Sequence, residues 1–379
     1  MDDDQSVDWS DLPKELWPMI GKCFDSNIDL LRFRSTCNLW RRSSVRPSVR
    51  PSLAAPPGFT AIIATSSVEK PLILTTIYRL EPSDLSKTLS TSSPSKSWLI
   101  KVEESRYGRL CLLDPFTSNR LSHFRTRYPF GSFPKWLNLS NFRFVELIKT
   151  YSTPLNDSGM RLFGPPCPEI GRKVVGFPNF AWTRVENCKF FSVTKDGKLG
   201  FSKIGDDEWT LVDDKNFYYD DLIVHKGQLY AVDRWGTIFW IDCSSSSSSS
   251  LKLVQFSPPL FALGKKKHLV ESCGSLYVVD MHVEGDPNNT RGTYYEVSDL
   301  KVYKLDEEWG RWLDVKSLDG RAFVLSKDCN LSLSAEDYHG CEENCIYFCY
   351  RGGASMFNLR NSTFCTPKVF WPCPTLFNL

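Results

Sequence analysis

Residues 225–242, HKGQLYAVDRWGTIFWID, alternate turn, strand, turn, strand, with Gly227 and Gly236 as punctuation and Asp233 and Asp242 closing the two apolar runs. Versions of the phrase recur. RLCLLD with PFTSNRL from Arg109, KFFSVTKDGKLGFSKI from Lys189, and SLYVVD from Ser275 are each an apolar strand followed by a polar turn, usually with a partner strand. The starts at Lys189, Gln228 and Ser275 are 39 and 47 residues apart. That period fits the roughly 40–50 residues of one four-stranded propeller blade. The 80 residues between Arg109 and Lys189 leave room for a blade that the phrase does not mark. The phrase is therefore architectural, a hairpin repeated around a ring, and its Asp and Gly residues are turn formers.

Short runs rich in β-branched and aromatic residues fill the chain beyond residue 58, from FTAIIAT and LILTTIY through to CIYFCY and KVFW. Ring closure is expected to bring FTAIIAT beside KVFWPCP. The predicted fold is mainly β, a C-terminal β-propeller of five to seven blades. Ser244–Ser250 is an unbroken serine run, and residues 83–97 are similarly polar; both read as solvated loops, favoured over a phosphorylation site.

Residues 8–43 differ. Leu12, Leu16, Met19, Ile20, Cys23 and Phe24 make a helical stripe. Pro13 suits a first turn, Pro18 divides a short turn from a longer helix, and a second start at Ser26–Asp29 leads to Leu30, Leu31, Phe33 and Cys37. Trp40 ends a third short turn. Three short helices in so little chain cannot enclose their own apolar side chains, so this segment leans on a partner. Residues 44–58, with prolines among serine, arginine and alanine, form a linker, and 59–379 the ring domain.

Lys and Arg total 46 against 44 for Asp and Glu, so no net field draws nucleic acid or an anionic membrane. No apolar run approaches the roughly 18 residues of a membrane helix. The 13 cysteines are odd in number and scattered, and the acidic start MDDDQSVDWSDLP is unlike a secretory signal. Reduced thiols in nucleus or cytoplasm are expected, with the sequons at Asn138, Asn156, Asn288, Asn330 and Asn361 unused.

Several constellations invite chemistry. Cys341, Cys345 and Cys349 recur every four residues beside His339, but CIYFCY reads as a strand and buried thiols fill cores, so core is favoured over zinc. Acidic pairs at Asp206-Asp207, Asp213-Asp214, Asp220-Asp221 and Glu307-Glu308 could serve a glycosidase if they converged; hairpin-turn acids normally face water. GKKKH at Gly264 lacks the pattern of a phosphate loop, and Lys265–Lys267 read as a solvated turn rather than a nuclear address. His225, His268 and His282 stand singly at strand ends. Trp235 and Trp240 read as blade-packing aromatics, and any tryptophan exposed at the ring's mouth could anchor a protein.

DLPKELWPMI followed by DLLRFRSTCNLWRR resembles the F-box, with Leu-Pro, Glu-Leu, Asp-Leu-Leu-Arg and a Cys followed by Trp-Arg in order. The resemblance implies docking on the Skp adaptor of a Skp-cullin-F-box ubiquitin ligase. It implies adaptor contacts or their immediate support at Leu12, Pro13, Leu16, Ile20, Leu30, Leu31, Phe33, Cys37 and Trp40. Trp17 and Pro18 depart from the commonest pattern. The remainder resembles the plant F-box proteins with a KIB-type β-propeller, in their Skp-interacting-partner branch. The residues that carry this are SWLIKVEE, GRLCLLDPFTSNRL, PKWLNLSNFRFVEL, KHLVESCGSLYVVD and the block ending CEENCIYFCY. That resemblance implies a non-catalytic substrate receptor without a cofactor, which holds a protein target on the propeller. The other reading is a propeller scaffold or transcriptional regulator that does not lead to degradation.

Overall fold

The computed structural model describes residues 12–22, 30, 33–34, 38–43, 73–82, 96–104, 110–116, 118, 142–152, 173–178, 188–194, 197–203, 206, 209–213, 215, 218–243, 251–285, 295–350 and 353–367. The linker, FTAIIAT, KVFWPCP and the serine run lie outside them. The chain divides into two compact units, Met1–Ser52 with Glu104–Leu110, and Leu53–Glu103 with Cys111–Leu379.

The larger unit is built mostly of antiparallel strand pairs. β1 (Ile73–Pro82), β2 (Trp98–Glu104), β3 (Leu110–Leu113) and β4 (Phe142–Ser152) form the first blade, ordered β3-β2-β1-β4. β5 (Lys173–Phe177), β6 (Lys189–Val193), β7 (Leu199–Lys203) and β8 (Thr210–Leu211) form the second in simple order. Among the described residues only Tyr151↔Val174 and Ser152↔Lys173 join β4 to β5, so this continuous eight-stranded sheet is two blades touching at their inner strands. The third blade is β9 (Tyr219–His225), β10 (Gln228–Asp233), β11 (Ile238–Asp242) and β12 (Lys252–Gln255). The fourth is β13 (Lys266–Ser272), β14 (Ser275–Gly285), β15 (Tyr295–Asp306) and β16 (Arg311–Val315). The fifth contains β17 (Arg321–Leu325), β18 (Asn330–Ser334), β19 (Cys345–Tyr350), β20 (Gly353–Asn358) and β21 (Thr363–Cys365), ordered β18-β17-β19-β20-β21, with β17 and β19 running parallel.

The strand pattern explains why these blades stack radially. Along β10 the side chains alternate between two seams: Leu229 and Ala231 pack with Phe191, Leu199 and Phe201 of the second blade. Tyr230 and Val232 pack with Leu269, Leu276 and Val278 of the fourth. A strand covered on both faces reads as an unbroken apolar run, and period 2 sends successive residues to opposite neighbours. Val270 and Val279 then meet Phe323 and Ile346 across the next seam. Val174, Cys188 and Phe190 pack with Tyr151 across the narrow first one. The last cluster closes the ring, because Ile77, Leu99 and Phe116 pack with Val324, Leu333, Tyr347 and Met356. The described residues thus form five blades. Beside that last seam, Ser97 bridges Tyr338, donating its N–H to the Asp337 carbonyl at 2.7 Å and accepting from the His339 N–H at 3.2 Å.

Lys189, Gln228 and Ser275 each open the second strand of a successive blade, so the recurring phrase marks equivalent positions. The Arg109 version does not; its strand β3 lies at the outer edge of the first blade. In the opening phrase, the Asp233 carboxylate accepts the N–H groups of Trp235 and Thr237 at 2.9 and 2.8 Å. Gly236 takes φ +78°, and a Cβ there would lie 2.5 Å from Leu260 Cβ. Both are turn formers, as the sequence suggests.

Candidate functional site

The first candidate site is the helical unit. The Leu16 N–H donates to the Pro13 carbonyl at 3.0 Å, and this turn leads directly into helix α1 (Leu16–Lys22). Pro18 stands third in α1, within the first turn, where its missing N–H has no intrahelical acceptor to lose. Leu30, Phe33 and Arg34 are helical, and α2 (Asn38–Ser43) follows. Arg41 Nε donates to the Arg34 carbonyl at 3.3 Å, tying α2 to the middle segment.

Three aromatic rings hold the unit together. Trp17 lies 4.8 Å from Trp40 and 6.1 Å from Phe33, and Phe33 stacks on Trp40 at 4.6 Å. Trp17, Leu30 and Phe33 are buried. Trp17, read from sequence as a departure from the pattern, is thus the centre of this small core. The residues one before and two after Trp17 point away: Leu16 and Met19 are exposed, Met19 by 62 %. Pro13 is exposed, while Leu12, Ile20 and Trp40 are half-buried. Leu31 and Cys37 lie outside the described residues. The nine expected contacts therefore separate by role: Leu30 and Phe33 face inward, whereas Leu12, Pro13, Leu16 and Ile20 border an apolar surface.

The second candidate is the ring's axis, where acidic and basic side chains were expected in water. The inner strands meet there through two buried hubs. Asp221 on β9 accepts from Lys173 Nζ at 2.8 Å, the Leu269 N–H at 2.8 Å and Asn330 Nδ2 at 2.7 Å. One carboxylate so joins β5, β9, β13 and β18. Burial opposes its charge, yet the Lys173 charge and these donors together hold its pKa below the ordinary range. Asp328 plays the same part where the ring closes. Lys101 Nζ donates to it at 2.7 Å, and the hydroxyls of Thr75 and Thr150 at 3.3 and 3.2 Å. Its pKa too is lowered, the Lys101 charge outweighing burial.

The expectation of a solvated Lys265–Lys267 turn is corrected. Lys266 and Lys267 begin β13, and Lys267 is wholly buried, its Nζ 2.6 Å from Asp280 and 2.7 Å from the Gly264 carbonyl. Asp220-Asp221 likewise belongs to a strand rather than a solvated turn. Asp220, pushed up to about 6 by burial, accepts the Lys267 N–H at 2.9 Å. Burial, and then Lys266, push His268 down to about 3, which keeps its imidazole neutral. His268 lies within β13 and His282 within β14, rather than at strand ends. His225 Nε2 lies 3.1 Å from Glu307, His282 Nε2 3.0 Å from Asp280, and the His339 ring stacks on Trp98. Cys345 is in the closing core with Cys341 and Cys349 packed against it, and burial raises the thiols of Cys341 and Cys345 to about 12. Protonated thiols in an apolar seam fill space and are poor ligands. Asn330, one of the sequons, is buried and bonded to Asp221.

What the axis does chemically is join strands. Asp221 and Asp328 have charged or hydroxyl partners on several blades at once, so they act as structural pins. Such satisfied buried networks were invisible to sequence because their members lie far apart in the chain; Thr75 and Asp328 are separated by 253 residues.

Residues 66–358 match the KIB1-4 beta-propeller family. The putative F-box protein At1g65770 of Arabidopsis thaliana is 32 % identical over 367 residues, covering 94 % of this chain and 92 % of that protein. The F-box protein SKIP23 of the same plant is 31 % identical, covering 90 % of this chain and 84 % of its own length. The F-box protein At2g26160, also from Arabidopsis thaliana, is 30 % identical over 91 % and 96 % respectively.

Proposed function

Because the chain belongs to the F-box proteins that carry a KIB1-4 β-propeller, we propose that it is the substrate-recognition subunit of a Skp-cullin-F-box ubiquitin ligase. In this reading residues 8–43 dock on a Skp-type adaptor and residues 59–379 hold a protein target. The linker 44–58 joins them. The activity is non-catalytic: holding two proteins on one chain raises their effective concentration and requires no reacting group here. Reduced thiols in the core suit a nuclear or cytoplasmic setting.

The observation that carries the reading is the apolar surface on the helical unit. Pro13, Leu16 and Met19 are exposed beside half-buried Leu12 and Ile20, while Trp17, Leu30 and Phe33 supply the internal packing. A helix that keeps its aliphatic side chains outside after building a core has them for a neighbour. The test is adaptor capture by the full chain carrying Leu12→Asp and Leu16→Asp. Capture is expected to be lost while the far-ultraviolet and thermal signatures of the ring stay unchanged. Retained capture of a purified Skp adaptor overturns the assignment. Leu30 is unsuitable for this purpose, since a charge at a buried position unfolds the unit whatever it binds.

A further inference from the structure

We propose that one end of the third blade is the target-docking surface and that its occupant is an extended acidic protein segment carrying aromatic or large aliphatic side chains. In an antiparallel meander, the connection entering the inner strand, the turn between the second and third strands, and the connection leaving the outer strand lie at one end. Here those are the stretch before β9, the β10–β11 turn and the β12–β13 connection. Each contributes a large side chain. Tyr218 and Trp235 meet edge to face at 5.3 Å, and the Arg234 guanidinium lies 5.0 Å above the Tyr218 ring. Beside them Phe261 is 74 % exposed and Leu263 92 %.

These apolar groups are held in water by a built support. The Trp235 carbonyl accepts the N–H groups of both Leu260 and Phe261, at 3.0 and 3.1 Å, and the Tyr218 carbonyl accepts that of Arg234 at 2.7 Å. Downstream, the Gly264 N–H donates to buried Asp280 at 3.1 Å. Phe261 itself sits at φ +54°, a conformation that is strained for a bulky residue. A strained backbone that presents a phenyl ring to solvent lowers stability twice over, and fixed aromatic anchors with an arginine are what protein recognition uses.

The charges select the partner. Arg234 lies over the aromatic pair, and Lys265 and Lys266 follow Leu263 into β13; these cations are exposed or half-buried, and Arg234 and Lys266 both act on Asp220. Among the described residues, the carboxylates at this end are turned to other work: Asp220 on the Lys267 N–H, Asp233 on its own turn, Asp213 on the Tyr219 hydroxyl and the Lys215 N–H. The end therefore offers apolar anchors inside a positive rim, complementary to acidic residues flanking hydrophobic ones.

This inference rests on the receptor reading, and the test separates the two. A phage-displayed library of 15-residue peptides is selected on the full chain bound to its adaptor, and the leading peptide is made synthetically for fluorescence anisotropy. Selected sequences are expected to combine Asp or Glu with Phe, Trp or Leu. Binding is expected to weaken at least tenfold in Phe261→Ser, Trp235→Ala and Arg234→Glu chains of unchanged melting temperature, and to weaken with added salt. Trp309→Ser, in the β15–β16 turn, is expected to bind as the parent does. Selection of no peptide, or of peptides without acidic residues, overturns the proposal, as does binding indifferent to the three substitutions or confined to phosphoserine forms. An adaptor-competent chain that selects no acidic peptide overturns this surface alone. A chain that binds the peptide yet captures no adaptor overturns the receptor reading alone.

Discussion

The helical unit and the ring treat apolar side chains in opposite ways. In the ring a single strand such as β10 gives Leu229 to one seam and Tyr230 to the next, so both faces are covered by the chain itself. In the helical unit three aromatic rings complete a small core, and the aliphatic side chains of the same helix stay outside. Self-sufficiency is thus a property of architecture as well as composition: radial closure gives every blade two neighbours, whereas a few short helices have only each other.

The comparison breaks most severely at the axial pins. Asp221→Ala takes from Lys173 its carboxylate partner and from Asn330 one of its two acceptors, and is expected to cost about 3–5 kcal/mol. Urea unfolding of the full chain measures it; a loss below about 1 kcal/mol would mean that the apolar seams alone hold the inner strands. A seam comes next. Leu229→Ala removes a fully buried side chain and should cost about 2–4 kcal/mol by the same measurement. A loss as small as that of an exposed residue would contradict the packing described.

Titration sharpens the picture further. Between about pH 3 and 6.5 His268 is protonated in the unfolded chain and neutral in the fold, so it makes stability rise with pH. Asp220 has the opposite sign: between 3.8 and about 6 the fold holds a proton that the unfolded chain has released, so stability falls as pH rises. The two slopes offset each other from about pH 4 to 6. His268→Asn should unmask the second, giving a decline of up to about 1.4 kcal/mol per pH unit across that window in pH-resolved unfolding. A slope unchanged from the parent's would remove His268 from this balance.

Smaller still is the turn. Gly236→Ala should cost about 1–3 kcal/mol, because positive φ and a collision with Leu260 act together. Gly227→Ala, at φ +71° with open space around it, should cost only about 1 kcal/mol. Equal losses would show that the Leu260 approach is irrelevant. At the far end, Leu16→Asp should change stability by less than about 0.5 kcal/mol while weakening adaptor capture, the reverse of Leu229→Ala.

What sequence could reveal follows from range. The β10–β11 hairpin was legible because Asp233 and Gly236 work within five residues of each other. The radial arrangement was legible because the phrase recurs at the same strand of successive blades. Lys267 was not, since what makes a buried lysine tolerable is Asp280 on the neighbouring strand, and a row of three lysines looks the same in water or in a core. Trp240 and Trp235 show the same limit within one phrase. Trp240 packs beside Tyr230 and donates to Gln228 at 2.9 Å, whereas Trp235, five residues earlier, stands in solvent at a turn. In the helical unit the fold was legible from its stripe, but Trp17 looked like an irregularity because its two ring partners come from later helices.

The join between the first and fifth blades has a consequence for biogenesis. Thr75 must wait for Asp328, and at roughly 5–20 residues per second a ribosome needs on the order of ten seconds to a minute to deliver it. During that interval the emerging blades expose the flank that Val324 and Tyr347 will later cover. A nascent chain of this kind is a natural client for chaperones, and a premature stop codon shortly before residue 320 would release an open, sticky arc instead of a slightly shortened ring.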